Sequence, residues 1–260
     1  MVDVDLRRGI HLPWSAARSG RAPMTRAVLA RCVEPETLDH LREDDPRAIR
    51  SRRDLQRINR IMGNVSIVDT LLGRSLDRAP AHVAELGAGD GSLLLRLAER
   101  RARQWRRVAL CLVDRLDLVA DSTRAAFANL GWTARTANMD VFDWLELKDH
   151  PRYDIIVANL FVHHFEAPAL TRLFGAIARL TDCFVACEPR RTRPALLGSH
   201  LVGFLGANAV TRRDAVLSVR AGFRDQELTA RWPDHGKWEL REARAGLFSH
   251  VFSARRMAIT

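Results

Sequence analysis

The chain has 260 residues, 47% of them hydrophobic, and a formal net charge of +10. This size and composition suit one large globular domain, or a domain with an appended segment. The apolar runs are all shorter than the roughly 18 residues that span a bilayer, and the N-terminus lacks the apolar core of a secretory signal, so we expect a cytoplasmic protein. The basic residues are spread along the chain, which favours a solvated basic surface over a nucleic-acid patch.

The first 80 residues divide into two predicted segments. Residues 1–23 have no clear hydrophobic period and are predicted to be a flexible extension, whereas residues 24–80 are predicted to be a helical prelude or lid. Helix starts are expected at Pro35-Glu36 and at Asp45-Pro46, where proline occupies a first helical position. A run of apolar residues at helical spacing predicts one buried stripe: Leu55, Ile58, Ile61, Met62, Val65, Val68 and Leu72.

From residue 81 to residue 260 the pattern changes to short apolar runs that alternate with amphipathic segments. The predicted strands are His82–Leu86, Val108–Val113, Thr133–Ala137, Tyr153–Ala158 and Cys183–Cys187. The predicted helices between them are Ser92–Gln104, Asp117–Leu130 and Ala167–Leu180. This alternation is typical of βαβ units, and Trp238–Arg244 with Leu247–Ser253 predict a terminal antiparallel hairpin. We therefore expect an α/β, Rossmann-like, mostly parallel seven-stranded sheet.

The four cysteines are interpreted as reduced and mostly buried thiols. Cys32, Cys111, Cys183 and Cys187 form no CxxC pair. Histidine and cysteine residues are not clustered at ligand spacing, so the sequence predicts no metal site.

A glycine-rich turn follows the first strand. Gly87, Gly89 and Gly91 come directly after Glu85, and the next residues begin a helix. Glycines let the backbone turn sharply and let a ligand lie against it, while the helix N-terminus offers free N–H groups. Ligands of open α/β sheets bind at this carboxyl edge.

The spacing resembles the E/D-x-G-x-G-x-G motif of the class I S-adenosylmethionine (SAM)-dependent methyltransferases, and it differs from the GxGxxG of NAD sites. The resemblance implies SAM as cofactor and S-adenosylhomocysteine as product. It places Glu85 and the three glycines, Gly87, Gly89 and Gly91, at the amino-acid end of the cofactor. An NAD oxidoreductase is also disfavoured because the chain has no Tyr-xxx-Lys and only one tyrosine.

Other positions continue the resemblance in chain order. Asp114 ends the second strand, where the family binds the ribose hydroxyls, and Arg115 directly after it is also predicted to contact the cofactor. Asp140 matches the acidic residue that binds the adenine amino group, and the backbone of Val141 would face the ring; Asp143 is a possible helix cap. Asn159 ends the fourth strand at the position of the family's fourth motif, and the resemblance implies that it contacts the cofactor.

His163 and His164 follow the fourth strand and are the candidate catalytic bases, because histidine is the usual group that removes an acceptor proton. Packing or supporting roles remain open for both. Residues 159–162 lack the [D/N/S]-P-P-[Y/F] tetrad of many nucleic-acid methyltransferases, which disfavours nucleic acid as substrate. The apolar stretch 196–206 would either line a hydrophobic acceptor pocket or pack on the core.

The sequence thus predicts methyl transfer, in the form of O-methylation, to a small hydrophobic aromatic or polyketide-type metabolite in secondary metabolism. Two alternatives stay open. One is an rRNA or protein methyltransferase that uses the positive charge, and the other is a non-catalytic SAM-binding partner protein. The oligomeric state is not predicted.

Overall fold

The computed structural model describes residues 29–257, which form a seven-stranded sheet covered by helices on both faces. The predicted extension of residues 1–23 lies outside this range. The strands are β1 (His82–Leu86), β2 (Ala109–Asp114), β3 (Thr133–Asn138), β4 (Ile155–Asn159), β5 (Cys183–Pro189), β6 (Trp238–Ala245) and β7 (Ser249–Arg256). The α-helices are α1 (Pro46–Met62), α2 (Asn64–Ser75), α3 (Ser92–Arg101), α4 (Asp121–Asn129), α5 (Val141–Leu145), α6 (Ala167–Leu180), α7 (Arg193–Leu201) and α8 (Ala209–Ala221).

The strand order is β3-β2-β1-β4-β5-β7-β6. Strands β1 to β5 are parallel, and β7 runs antiparallel between β5 and β6. The central strands are apolar without alternation because both faces of the sheet are buried, by α2, α3 and α4 on one side and by α5 and α6 on the other. The predicted Rossmann-like sheet with its terminal hairpin is confirmed.

The helical segment before the sheet differs from its prediction. Gly63 adopts a left-handed conformation and divides the expected stripe between α1 and α2. The start of α1 is as predicted, because the Asp45 side chain accepts a hydrogen bond from the Arg47 backbone N–H. The single apolar stripe was wrong: α1 buries Ser51 and Asp54, whereas Ile61 is exposed.

A polar interface explains why α1 turns this face inward. The hydroxyl groups of Ser51 and Thr211 lie 2.8 Å apart, and Asp54 Oδ2 accepts the backbone N–H of Asn208 at 2.8 Å. These bonds fasten α1 to α8 and to the loop before it. Partnered polar groups therefore occupy a position that periodicity assigned to apolar side chains.

Residues 29–41, which we call the N-terminal strap, run across the carboxyl ends of β4 and β5. The strap contains one short 3-10 helix, Leu38–His40, in place of the helix expected from Pro35. Asp214 of α8 accepts the backbone N–H groups of Thr37 and Leu38, at 2.9 Å each. Arg31 donates to the carbonyl oxygens of His163 and Phe165, also at 2.9 Å. The strap is therefore attached to the sheet edge by side chains far away in sequence.

Two further features concern the chain as a whole. The thiols of Cys111, Cys183 and Cys187 are free and buried, as expected, while Cys32 is free and exposed. Between residues 29 and 257, none of the helices has the length and apolar character that crossing a bilayer requires.

Candidate active site

The turn after β1 is held open by its glycines. Gly87, Gly89 and Gly91 all have positive φ angles, of 67°, 54° and 73°. A Cβ atom at Gly87 would collide with the Phe161 ring, whereas a Cβ at Gly89 would meet no heavy atom within 4 Å. Gly87 thus allows close packing of two loops, and Gly89 borders open space in which a ligand can contact the backbone.

Two carboxylates fix the shape of this turn. Asp114 accepts the backbone N–H groups of Gly89 at 2.8 Å and of Leu116 at 3.0 Å. Asp90 accepts the backbone N–H of Ser92 at 3.0 Å and the side-chain amide of Gln56 in α1. The end of β2 and helix α1 therefore both hold the glycine turn.

Glu85 is a buried carboxyl group with an oxygen that is unpaired in the described part of the chain. Its side chain is enclosed, and Oε2 has no hydrogen-bond partner among residues 29–257. Burial, with smaller contributions from Asp90 and Asp114, raises the pKa of Glu85 well above 4.5. A neighbouring ammonium group would satisfy the oxygen and offset this cost. The site therefore fits the amino-acid end of SAM.

The segment after β3 corrects one detail of the prediction. Asp140, not Asp143, caps α5, because its Oδ1 accepts the backbone N–H of Phe142 at 2.8 Å. Asp140 is exposed, and Val141 next to it is buried. A capping Asp140 keeps a second carboxylate oxygen for a ligand at this edge of the sheet.

Asn159 and Arg115 have protein partners that the sequence did not predict. Asn159 Oδ1 accepts the side-chain amide of Asn64 at 3.2 Å, and Asn64 is fully buried at the start of α2. The Arg115 guanidinium lies 3.6 Å from an Asp39 carboxylate oxygen and is largely exposed. Asn159 therefore lies at the junction of α2 with the sheet edge, while Arg115 helps to hold the strap.

His163 is enclosed and tightly held. Its Nδ1 lies 2.7 Å from Oε2 of Glu188, which is completely buried near the end of β5. Glu188 Oε1 accepts the backbone N–H groups of Phe161 and Val162 at 3.0 Å each. Burial alone would lower the pKa of His163, but the carboxylates of Glu188 and Glu36 raise it to about 9.

His164 differs from His163 in its exposure and charge environment. The two rings lie 4.3 Å apart between centroids, and 28% of the His164 side chain is exposed, against 3% of His163. Burial and the neighbouring His163 lower the pKa of His164. His164 is therefore the more accessible of the two histidines.

The loop that carries the histidines is strained and aromatic. Leu160 has a φ angle of 53°, which is unusual for a branched side chain and common at functional sites. Partly exposed phenylalanines flank the loop: the Phe161 and Phe165 ring centroids are 5.2 Å apart, and those of Phe142 and Phe165 are 5.6 Å apart. The histidines thus lie beside a small aromatic surface.

Some site residues were missed by sequence reasoning. Glu36 and Asp39 reach the histidines from the strap, and Glu188 reaches them from β5. They carry no recognisable spacing, because they lie roughly 25 to 130 positions away from the histidines. The only local signal is the position of Glu188 at the carboxyl end of a buried strand.

The apolar stretch 196–206 lies largely on the surface. Its large side chains Leu197, Leu201, Phe204 and Leu205 are exposed, and Phe204 is 88% exposed. Helix α7 nevertheless packs on α8, and the Arg50 side chain of α1 donates to the Gly206 carbonyl oxygen at 3.3 Å. Neither predicted role applies to these four side chains: they neither fill the core nor line an enclosed cavity.

Comparison with known proteins identifies the class. Residues 83–182 match the family model described as a methyltransferase domain. This match covers β1 to the residue before β5, and so includes the glycine turn and both histidines. No curated protein sequence matches the chain.

Solved structures share the fold at low sequence identity. The plantazolicin methyltransferase BpumL, in complex with a triazolic desmethylPZN analogue and SAH, has a TM-score of 0.60 and 12% identity over 82% of this chain and 92% of its own. An O-methyltransferase family protein from Burkholderia thailandensis has a TM-score of 0.54 and 17% identity over 82% of this chain. This chain spans only 60% of the length of that protein.

A third similar structure also contains a cofactor. Magnesium protoporphyrin IX methyltransferase from Synechocystis PCC 6803, with bound SAH, has a TM-score of 0.50 and 14% identity over 85% of this chain and 91% of its own. The fold and the matched domain are those of class I methyltransferases. Residues 83–182 accordingly form a methyltransferase domain, as the glycine motif predicted, and the SAH in two of these structures agrees with SAM as the predicted cofactor.

Proposed function

We propose that this enzyme transfers the methyl group of SAM to a hydroxyl oxygen of a small, hydrophobic acceptor, of the aromatic or polyketide-type class found in secondary metabolism. The observation that carries the proposal is the histidine pair past β4: the buried Glu188 holds His163, and Phe161 of the same loop packs against Gly87 of the glycine turn. The partly exposed aromatic surface of Phe161 and Phe165 supports a hydrophobic, aromatic acceptor.

In this proposal the cofactor lies along the carboxyl edge of β1, β2 and β4. The residues that would hold it are Glu85, Gly87, Gly89, Gly91, Asp114, Asp140, Val141 and Asn159. Glu85 would bind the ammonium group, Asp114 the ribose and Asp140 the adenine amino group. We assign Arg115 instead to the strap, because its side chain pairs with Asp39. The segment of residues 29–75 would act as the lid over both sites.

The reaction needs alignment more than covalent chemistry. SAM supplies an electrophilic methyl group on a sulfonium, and the acceptor oxygen displaces it in line, which positioning alone can assist by roughly 7–11 kcal/mol. His163 and His164 would bind the acceptor hydroxyl and help to remove its proton. Glu188 fixes the ring of His163, while the exposed edge of His164 faces the incoming acceptor.

The decisive test separates acceptor classes. Purified enzyme and SAM with a labelled methyl group are incubated in a lysate of the source organism, and the label is divided into solvent-extractable, RNA and protein fractions. We expect label in the extractable fraction. Label confined to RNA or protein would contradict the small-molecule proposal in favour of a macromolecular substrate, and no transfer to any fraction would favour a non-catalytic SAM-binding protein.

Variants of the candidate site, each paired with a variant of an exposed residue outside it, test whether methyl transfer depends on this site. We expect Asp114→Ala to weaken SAM binding by about 1–3 kcal/mol, which is a factor of roughly 5 to 150. Asp117→Ala is the control, because Asp117 is exposed three residues further on. His164→Gln should retain SAM affinity and lose about a hundredfold in transfer or more, unlike His200→Gln in the exposed part of α7. Unchanged SAM affinity in Asp114→Ala would overturn the ribose assignment.

A further inference from the structure

Three potential metal ligands from distant parts of the chain meet at the carboxyl edge of the sheet. Glu36 comes from the strap, and His163 and His164 follow β4. One ligand atom of each residue lies within 4.8 Å of the other two. Two imidazoles and one carboxylate are a common ligand set for divalent transition metals.

His163 is oriented in the manner of a metal ligand. Its Nδ1 is bonded to the buried Glu188, so that Nε2 faces the cluster. Carboxylates hold metal-binding histidines in this way, because the bond fixes both the ring and the tautomer. His163 Nε2 is buried and has no hydrogen-bond partner among residues 29–257. A buried nitrogen in this state indicates a missing partner.

The distance between His163 Nε2 and Glu36 Oε1 favours a shared ion over a direct bond. The two atoms are 3.5 Å apart, whereas a charge-assisted hydrogen bond is about 2.7–2.9 Å long. The Glu188 contact of the same ring is 2.7 Å, so the ring does form short bonds elsewhere. Two ligands of one zinc ion, each about 2.0–2.2 Å from it, are roughly 3–3.5 Å apart.

Glu36 and His164, the other two proposed ligands, also have polar neighbours. Glu36 accepts the Ser218 hydroxyl from α8, which orients the carboxylate. Asp39 Oδ2 lies 3.6 Å from His164 Nδ1, and Arg115 lies 3.6 Å from the other Asp39 oxygen. Glu36 and His163 therefore each have a hydrogen-bonded partner that restricts their orientation, and His164 has a carboxylate nearby.

We propose that Glu36, His163 and His164 bind a divalent transition-metal ion, with at least one coordination position open to the acceptor. This inference rests on the proposed function in one respect: the open position takes the acceptor hydroxyl. In that case the two histidines act on the acceptor through the ion and not as bases themselves, because a hydroxyl bound to such an ion releases its proton to solvent more readily. The oxygen would then form the new bond to the methyl carbon, while the bond from that carbon to the sulfonium sulfur breaks and its electron pair stays on the sulfur of S-adenosylhomocysteine.

The ion would also join the strap to the core. Glu36 is the only one of the three ligands that belongs to the strap, and the other two are adjacent in the loop after β4. Binding would therefore stabilise the folded lid in addition to the acceptor site, since a ligand that binds only the folded state raises its stability.

The test is a zinc titration of untagged protein that has been dialysed against a chelator. We expect wild-type protein to bind one zinc ion per chain. Glu36→Gln and His164→Gln should each weaken that binding by at least about tenfold, while SAM binding stays unchanged as a measure of folding. Glu34→Gln and His200→Gln are the matched controls, since these residues are exposed or partly exposed and lie outside the cluster.

Two results would overturn the proposal: the wild-type protein binds no zinc, or Glu36→Gln and His164→Gln bind zinc as tightly as the wild type does. Either result would favour a metal-free ion pair between His163 and its two carboxylates. Thermal unfolding gives a second readout: zinc should raise the melting temperature of the wild type and not of Glu36→Gln. Neither measurement uses an acceptor. A failed acceptor search therefore leaves the metal result intact, and a failed titration leaves methyl transfer intact.

Discussion

The molecule contains two buried histidine–glutamate pairs of similar construction. Glu188 accepts two consecutive backbone N–H groups and lies 2.7 Å from His163. Glu242 does the same: it accepts the N–H groups of Leu228 at 3.1 Å and Thr229 at 2.7 Å, and its Oε1 lies 2.7 Å from His250. Both glutamate side chains are completely buried. Glu188 thus joins β5 to the loop after β4, and Glu242 joins β6 to β7 and to residues 228–229.

The pairs differ in their place on the sheet. Glu188 and His163 lie at the carboxyl ends of the parallel strands β5 and β4, beside the glycine turn. Glu242 and His250 lie within the terminal hairpin, on β6 and β7. Ligands of open α/β sheets bind at the carboxyl edge. Such a pair therefore stabilises the fold wherever it lies, and its position on the sheet decides whether it also supports the candidate active site.

The largest effects are expected from removing each glutamate charge, which separates a role in stability from a role in methyl transfer. Glu188→Gln and Glu242→Gln should each lower the free energy of unfolding by about 3 kcal/mol, because each breaks a buried, hydrogen-bonded pair. Only Glu188→Gln should also reduce methyl transfer, by about a hundredfold or more. Urea unfolding measures the first quantity, and transfer assays on folded protein measure the second. Equal losses of transfer in both variants would contradict the distinction.

A second contrast, on the cofactor side, is between two glycines with left-handed backbones, Gly87 and Gly131. Gly87→Ala places a Cβ atom against Phe161 in a left-handed backbone, so we expect SAM binding to weaken by about a hundredfold or more. Gly131→Ala is the control: its φ is +79°, but a Cβ there meets no heavy atom within 4 Å. It should cost about 1 kcal/mol of stability and leave SAM affinity unchanged. Similar SAM affinities in the two variants would show that the Phe161 contact is unimportant.

The smallest effect is a pH dependence at Glu85. Because burial raises its pKa, the folded apoprotein keeps a proton that the unfolded chain releases near pH 4.5. The retained proton adds to the free energy of unfolding. This contribution is complete below pH 4.5 and is lost as the pH rises towards the pKa of Glu85 in the folded state. The SAM ammonium favours the ionised carboxyl, so the increase in melting temperature on SAM addition should grow with pH, by a few degrees at most.

The matched variant for this prediction is Glu85→Gln, which cannot ionise. Its apoprotein should lose the pH dependence that Glu85 contributes, and its response to SAM should be smaller and more even across pH. Melting curves at several pH values, with and without SAM, give both quantities. An unchanged pH slope in Glu85→Gln would show that the carboxyl is not the group responsible.

The regions that could be predicted are those in which local pattern and tertiary contact agree. Strand β1 and helix α6 have the predicted bounds, and the Asp45 cap lies where Pro46 indicated it. Prediction was wrong where a distant partner competes with periodicity. Ser51 is buried because Thr211 partners it, and the segment after Pro35 forms only a short 3-10 helix, whose start is held against α8 by Asp214.

The sequence by itself determined the class of enzyme, since the glycines, Glu85 and Asp114 lie within one βαβ unit whose local geometry brings them together. The acceptor side was decided by tertiary structure alone. Glu36, His163 and Glu188 belong to a strap, a loop and a strand that are separate in sequence. They meet because parallel strands end at one edge of the sheet and the strap is fastened across that edge, which no local spacing records.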